Sequence, residues 1–280
     1  MIFRRASREE FQVAVEWAAG EGWNPGLDDA EVFWVTDPEG FVCAERDGEM
    51  VATGSVVSYG SYGFMGFFIV RPDLRGQGIG REFWNWRRDL LLERLGPGGV
   101  IGMDGVFEMQ PFYAKGGFEF SHRNLRMEGV GVRRPVDPRV VSLQEVDLEE
   151  VADYDTWRFG LRRAEFLRRW ISMPHARGHC YREDGVLRGL GVIRECRSGF
   201  KIGPLFADDG LIAEQLFVAL SVHADSQPLF LDVPEINEQA VALARNHGMQ
   251  EVFGCARMYH GEPVSIPLGQ VFGVTTFELG

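Results

Sequence analysis

One stretch, residues 62–95 reading YGFMGFFIVRPDLRGQGIGREFWNWRRDLLLERL, narrows what this chain can fold into more than any other. Its first part, Phe64 to Val70, is an apolar and aromatic run of buried-strand length; from Ile79 onward the apolar residues Phe83, Trp86 and Leu90 return at helical spacing. Between them stands RPDLRGQGIG. Glycines at 76, 78 and 80 permit a tight turn from strand into helix, with backbone amides open to an anion and the positive end of a helix dipole behind them. That is the chemistry of a phosphate cradle. Glycines also simply end strands, so the turn alone leaves both readings open.

Composition removes several classes of function. The net charge of −12 has its acidic excess in both halves, and neither half carries the basic stripe of a nucleic-acid binder. An acidic surface mildly favours a cationic substrate, or is only a solvated face. No apolar run approaches the roughly 20 residues that span a bilayer, and MIFRRASREEF meets acidic residues too early for a secretory signal. The expectation is a soluble, cytoplasmic protein without membrane or nucleic-acid partners. Cys43, Cys180, Cys196 and Cys255 form no C-x-x-C pair and suit reduced thiols. His175, His179 and Cys180 lie close together in HARGHC, but no fourth ligand accompanies them and the segment reads as a loop, so no metal is expected.

Along the chain, Ile2 to Arg5 reads as a strand, and Ser7 with Glu10 forms a capping box for a helix to about Ala19. GEGWNPGLDDAEVF reads as a loop, with Trp23 either near a site or folded back onto the core. Asp47-Gly48 marks a hairpin between FVCAERD and EMVATGSVVSYG, and a third strand runs from it into the glycine turn. After the central helix come a strand VIGMDGV, a short helix Gln110 to Lys115 and a closing strand in FEFSHRNLRMEGV. This order gives an α/β sandwich with a mixed sheet.

These elements, the Arg75-Gly76-Gln77-Gly78-Ile79-Gly80 turn and the segment FYAKGGF at 112–118 together resemble the GNAT superfamily of acetyl-CoA-dependent N-acetyltransferases. The resemblance implies that main-chain amides from Arg75 to Gly80, with that of Arg81, hold the pyrophosphate of coenzyme A. It implies that Phe68, Ile69 and Val70 pair with its pantetheine arm, and that Tyr113 is the acid for the departing thiolate. The alternative for Tyr113 is a ring that only packs beside Phe112 and Phe118. Many family members place a glutamate on the strand before the turn as base, yet Phe64 to Val70 holds no carboxylate. That leaves Glu108, placed first because it adjoins the helix carrying Tyr113, or Asp104, or a water chain ending on Asp28 or Asp29. Each of these also fits a solvated or capping acid.

GVRRPVDPRV at 131–140 reads as a linker, dividing a first domain, 1–130, from a second, 141–280. The second repeats the first: strand KIGPLFA, helix LIAEQLFVAL, strand PLFLDV, helix NEQAVALARNHG, strands EVFGCARMYHG and VFGVTTFELG. Its chemistry is lost. GPLFADDG stands in place of the glycine turn, its two aspartates set to repel a pyrophosphate, and Ala244 stands where Tyr113 does. GWNPG, IGPLFA and LDVPEIN resemble a bacterial subfamily of tandem GNAT proteins. The expected architecture is two GNAT-like domains, each a mixed, mostly antiparallel sheet flanked by helices, the second one degenerate. In that arrangement the second domain walls the acceptor cleft near Trp23, Asn24, Asp29 and Asp104, with Asp155, Arg163 or Asp232 reaching toward it, although Asp155 and Asp232 fit caps and turn formers equally. The expected activity is direct acetyl transfer to a small-molecule amine by a monomer or homodimer, the alternative being a non-catalytic acyl-CoA sensor.

Overall fold

The computed structural model describes residues 1–263 and 265–280. The first half runs β1 (Ile2–Arg5), α1 (Arg8–Gly20), α2 (Asp29–Thr36), β2 (Phe41–Arg46), β3 (Glu49–Ser55), β4 (Val57–Ser58), β5 (Tyr62–Met65), β6 (Ile69–Val70), α3 (Ile79–Leu95), β7 (Val100–Val106), α4 (Gln110–Lys115) and β8 (Glu119–Val130). The second runs β9 (Val140–Ser142), α5 (Leu148–Phe159), α6 (Ala164–Trp170), β10 (Ala176–Glu183), β11 (Val186–Glu195), β12 (Phe200–Ala207), α7 (Gly210–Ser221), β13 (Pro228–Pro234), α8 (Glu238–Asn246), β14 (Gln250–His260) and β15 (Val271–Gly273). Residues 131–139 between them carry neither helix nor strand.

Local chemistry accounts for most of these bounds. Ser7 and Glu10 form the capping box of α1 with both reciprocal bonds present. Asp47 and Gly48, and again Asp184 and Gly185, adopt the left-handed backbone that a two-residue hairpin turn requires. Several segments depart from the sequence reading. Helix α2 begins inside the stretch read as a loop, because the turn residues stop at Gly26 while Val32 and Phe33 go into the core. HARGHC is the start of strand β10, with Cys180 buried, His179 against His223 and His175 against Asp28. Of VFGVTTFELG only β15 is strand; the remainder is buried irregular chain.

The strands pair across the sequence boundary. A small sheet, β1-β2-β3-β6, belongs to the first half, and a large mixed sheet runs β4-β5-β7-β14-β8-β13-β12-β11-β10-β9, with β15 on β12. Thus β14 of the second half lies between β7 and β8 of the first, while β8 lies between β14 and β13. The exchange is nearly symmetric down to its ion pairs. Arg257 on β14 sits directly opposite Asp104 on β7 and forks onto it at 2.9 and 2.7 Å. Arg126 on β8 sits directly opposite Asp232 on β13 and does the same at 2.7 and 2.8 Å. Each half therefore carries an aspartate with a buried carboxylate that is neutralised by an arginine, in an Arg-Met dipeptide, from the other half's strand.

Candidate active site

The run from Phe64 to Val70 is not one strand. Strand β5 pairs in parallel with β7 in the large sheet and β6 pairs with β3 in the small one, so the chain crosses between sheets at Gly66 to Phe68. Phe67 spans that crossing at φ +50°, an uncommon conformation for so bulky a residue, and is held there by edge contacts with Phe11, Phe33 and Phe41. Beneath the crossing, the buried guanidinium of Arg87 on α3 donates to the carbonyls of Ser55 and Gly66, both at 2.7 Å. Burial without a facing carboxylate pushes its pKa down to about 9. The amides of Phe67 and Phe68 have no acceptor among the described residues and are free for a carbonyl oxygen.

The glycine turn opens on the same side. Gly76 and Gly78 have φ of +78° and +88°, and Gly78 caps α3 in the left-handed region. Among the described residues the amides from Gly76 to Gly80 donate to nothing in the chain. That leaves a row of donors at the positive end of a 17-residue helix. The Arg75 guanidinium is tied to Glu21 and to the Val70 carbonyl, so it braces the turn. Replacing Gly78 by Val puts a β-branched residue where a left-handed backbone costs about 1–2 kcal/mol. Coenzyme A affinity is expected to fall by about tenfold in isothermal titration, with a small loss of thermal stability. Unchanged affinity would remove the turn from the binding site.

One cavity of about 630 Å³ joins these parts. Phe68, Ile69, Val70, Arg75, Gly76, Gly78, Gly80 and Arg81 line it; Gln77 and Ile79 do not, the former bonding to the Asp73 carbonyl and the latter packing into the core. Tyr113 lines it from α4, its ring stacked on Trp84 of α3 at 5.9 Å, and burial pushes its pKa up to about 12. The carboxylates named from sequence are placed differently. Glu108 is exposed and outside the cavity. Asp104 lines it but is held by Arg257 and by Asn124. Asp29 is buried in a pair with Arg194 and accepts from the Gly26 amide, and the Asn24 side chain bonds the Ser198 backbone. These two fasten the GWNPG loop to the second half. Trp23 does line the cavity, its carbonyl held by Arg126 and Lys201. Asp155 and Arg163 form a buried pair away from it.

The second half supplies Phe253, Cys255, Phe277 and Glu278 to the cavity wall. Its own counterpart of the turn is closed: Asp209 caps α7 by accepting from the amides of Leu211 and Ile212, and Asp208 pairs with Arg158 and Arg188.

A splayed strand, a free-amide turn heading a helix and a buried tyrosine on one cavity are the arrangement expected of an acyltransferase of the family that the sequence resembles. The comparisons agree. Residues 4–118 match the model of the acetyltransferase (GNAT) family and residues 151–273 that of an acetyltransferase (GNAT) domain. The chain is 31% identical over 279 residues to holothin acyltransferase of Pseudoalteromonas sp. (strain SANK 73390), covering 98% of this chain and 93% of that one. A crystal structure from Pyrococcus horikoshii, of a protein proposed to be an acetyltransferase, superposes with a TM-score of 0.84 at 22% identity over 100% of this chain and 95% of that one. The tandem GNAT protein of the clavulanic acid pathway gives 0.62 at 14% identity, over 94% and 99% of the two chains. The chain belongs to the GNAT acetyltransferase family, with two GNAT domains in tandem, and is an acyltransferase. None of its helices is long and apolar enough to cross a membrane, among the described residues.

Proposed function

We propose that this enzyme transfers an acetyl group from acetyl-CoA directly to the amine of a small molecule, using the cavity that residues of 1–130 line together with Phe253, Cys255, Phe277 and Glu278 of the second half. The observation that carries the reading is that one cavity is lined by Gly76, Gly78 and Gly80 of the free-amide turn, by Phe67 and Phe68 with the two free amides of the crossing, and by Tyr113. The first suit a pyrophosphate, the second suit a thioester oxygen, and Tyr113 is protonated at neutral pH and can protonate a departing thiolate. The holothin acyltransferase that matches along nearly the whole chain supports acyl transfer as the reaction type.

The test is release of free thiol from acetyl-CoA across a panel of amines, with the amide product identified by mass spectrometry. Amine-dependent thiol release is the expected result. Coenzyme A binding without turnover on any amine would favour a non-catalytic sensor, and no binding at millimolar coenzyme A would end both readings.

A further inference from the structure

The reaction proposed above needs a base, and every carboxylate singled out from sequence is exposed, paired or outside the cavity. We propose that Glu278, contributed by the second half of the chain, is the base that receives the acceptor's ammonium proton, and that the acceptor is a primary amine on a small apolar or aromatic body.

Four observations meet at this residue. The last stretch of chain after β15 is buried and pinned, the Val274 amide donating to the backbone carbonyl of Asp232, the Thr275 hydroxyl receiving from Arg163 and the Leu279 amide donating to the Thr276 hydroxyl. It crosses onto the first half so closely that a Cβ at Gly66 would lie 2.2 Å from the Glu278 carbonyl oxygen, so only glycine admits it at the splayed crossing. Glu278 is 7% exposed, and what it exposes faces the cavity that Tyr113 and the free-amide turn also line. Its carboxylate has no hydrogen-bond partner among the described residues, whereas Asp29, Asp104 and Asp232 all do.

The charges around it are accounted for. Facing Glu278 are Lys201 on β12, Arg126 on β8, Asp29 on α2 and Arg194 on β11. Asp29 holds Arg194 and Asp232 on β13 holds Arg126, leaving Lys201 as the balancing cation; its ammonium is turned to the carbonyls of Trp23 and Asn24. Burial raises the carboxyl above the usual glutamate range, and the Lys201 charge partly opposes that. A carboxylate so raised accepts a proton near neutral pH more readily than an exposed one. The same cavity is lined by the aromatic rings of Trp23, Phe253 and Phe277, with the guanidinium of Arg126, already paired with Asp232, over the last two. A flat apolar body fits those walls, with its ammonium at Glu278.

The protons balance. The ammonium gives one proton to Glu278; the freed nitrogen pair forms the N–C bond as the C–S bond breaks, and its electron pair stays on sulfur. Tyr113 protonates that sulfur and recovers a proton from the nitrogen, which becomes the amide. Glu278 gives its proton to solvent once the product has left.

The experiment compares the full-length protein with Glu278→Gln, using benzylamine, protonated at neutral pH, and aniline, neutral there. The expected result is a fall in kcat/KM of about 10²-fold for benzylamine at pH 7, little change for aniline, and unaltered coenzyme A binding. The loss for benzylamine should also fade as pH rises and free amine becomes abundant. An equal loss for both amines, loss of coenzyme A binding, or an unchanged pH profile would assign Glu278 to holding the wall and overturn the proposal. If the wild-type protein acetylates no amine at all, the acetyl-transfer reading falls and this one with it.

Discussion

Tyr113→Phe is expected to lower kcat by about 10²- to 10³-fold in single-turnover acetyl transfer while coenzyme A affinity stays within about twofold. The substitution removes one hydroxyl and leaves the ring on Trp84, so the wall keeps its shape. In the mechanism proposed above, what is lost is the proton for sulfur, and the leaving group must depart as a free thiolate. The pH dependence has a definite sign. Tyr113 titrates at about 12 in the folded chain against about 10 when unfolded, so it stays protonated throughout the range in which the reaction is assayed. No alkaline fall in rate below about pH 10 should belong to it. Its folded value is the higher one, so its contribution to folding stability is complete below about pH 10 and is lost as pH rises toward 12, on the order of 3 kcal/mol in all. The phenylalanine variant should therefore unfold less readily than wild type under strongly alkaline conditions. A variant that keeps full single-turnover rate would show that another group, or water, supplies the proton.

Residues 1–130 produced alone are expected not to fold into a stable domain. In that fragment β7 loses β14, and β8 loses both of its neighbours, β14 and β13, so that its two edges and one edge of β7 are left unpaired. Asp104 would also lose Arg257, and stranding one member of a buried pair costs about 3–5 kcal/mol, a large part of the stability of an ordinary domain. Aggregation or an unfolded circular dichroism spectrum is the predicted outcome for the fragment. A single thermal transition is predicted for the whole chain. A soluble, well-dispersed fragment that binds coenzyme A would contradict the importance assigned to the exchange.

Features written in a few neighbouring residues were legible from the sequence: the capping box at Ser7 and Glu10, the two Asp-Gly hairpins, the glycine turn into α3, and Tyr113 five residues before Phe118. The break between β5 and β6 was not, because apolar residues on both sides of Gly66 hide a change of sheet that only pairing partners reveal. The exchange was hidden for a similar reason. Hydrophobic alternation marks β8 and β14 as strands but is silent on which neighbour each takes, and its one trace is the Arg-Met dipeptide shared by 126–127 and 257–258. Asp29, Asn24 and Asp104 look like site residues by type; their partners Arg194, Ser198 and Arg257 lie more than 150 positions away in the chain. Glu278 carries no motif and faces the cavity only because the last segment is folded back across Gly66.

The exchanged strands have one further consequence. In two separate chains, the meeting of β8 with β14 would be a bimolecular event, lost on dilution. Here both strands belong to one polypeptide, joined through residues 131–139, so each meets its counterpart at a local concentration set by the tether. The cavity wall that the second half contributes is thus present in every molecule, however scarce the protein.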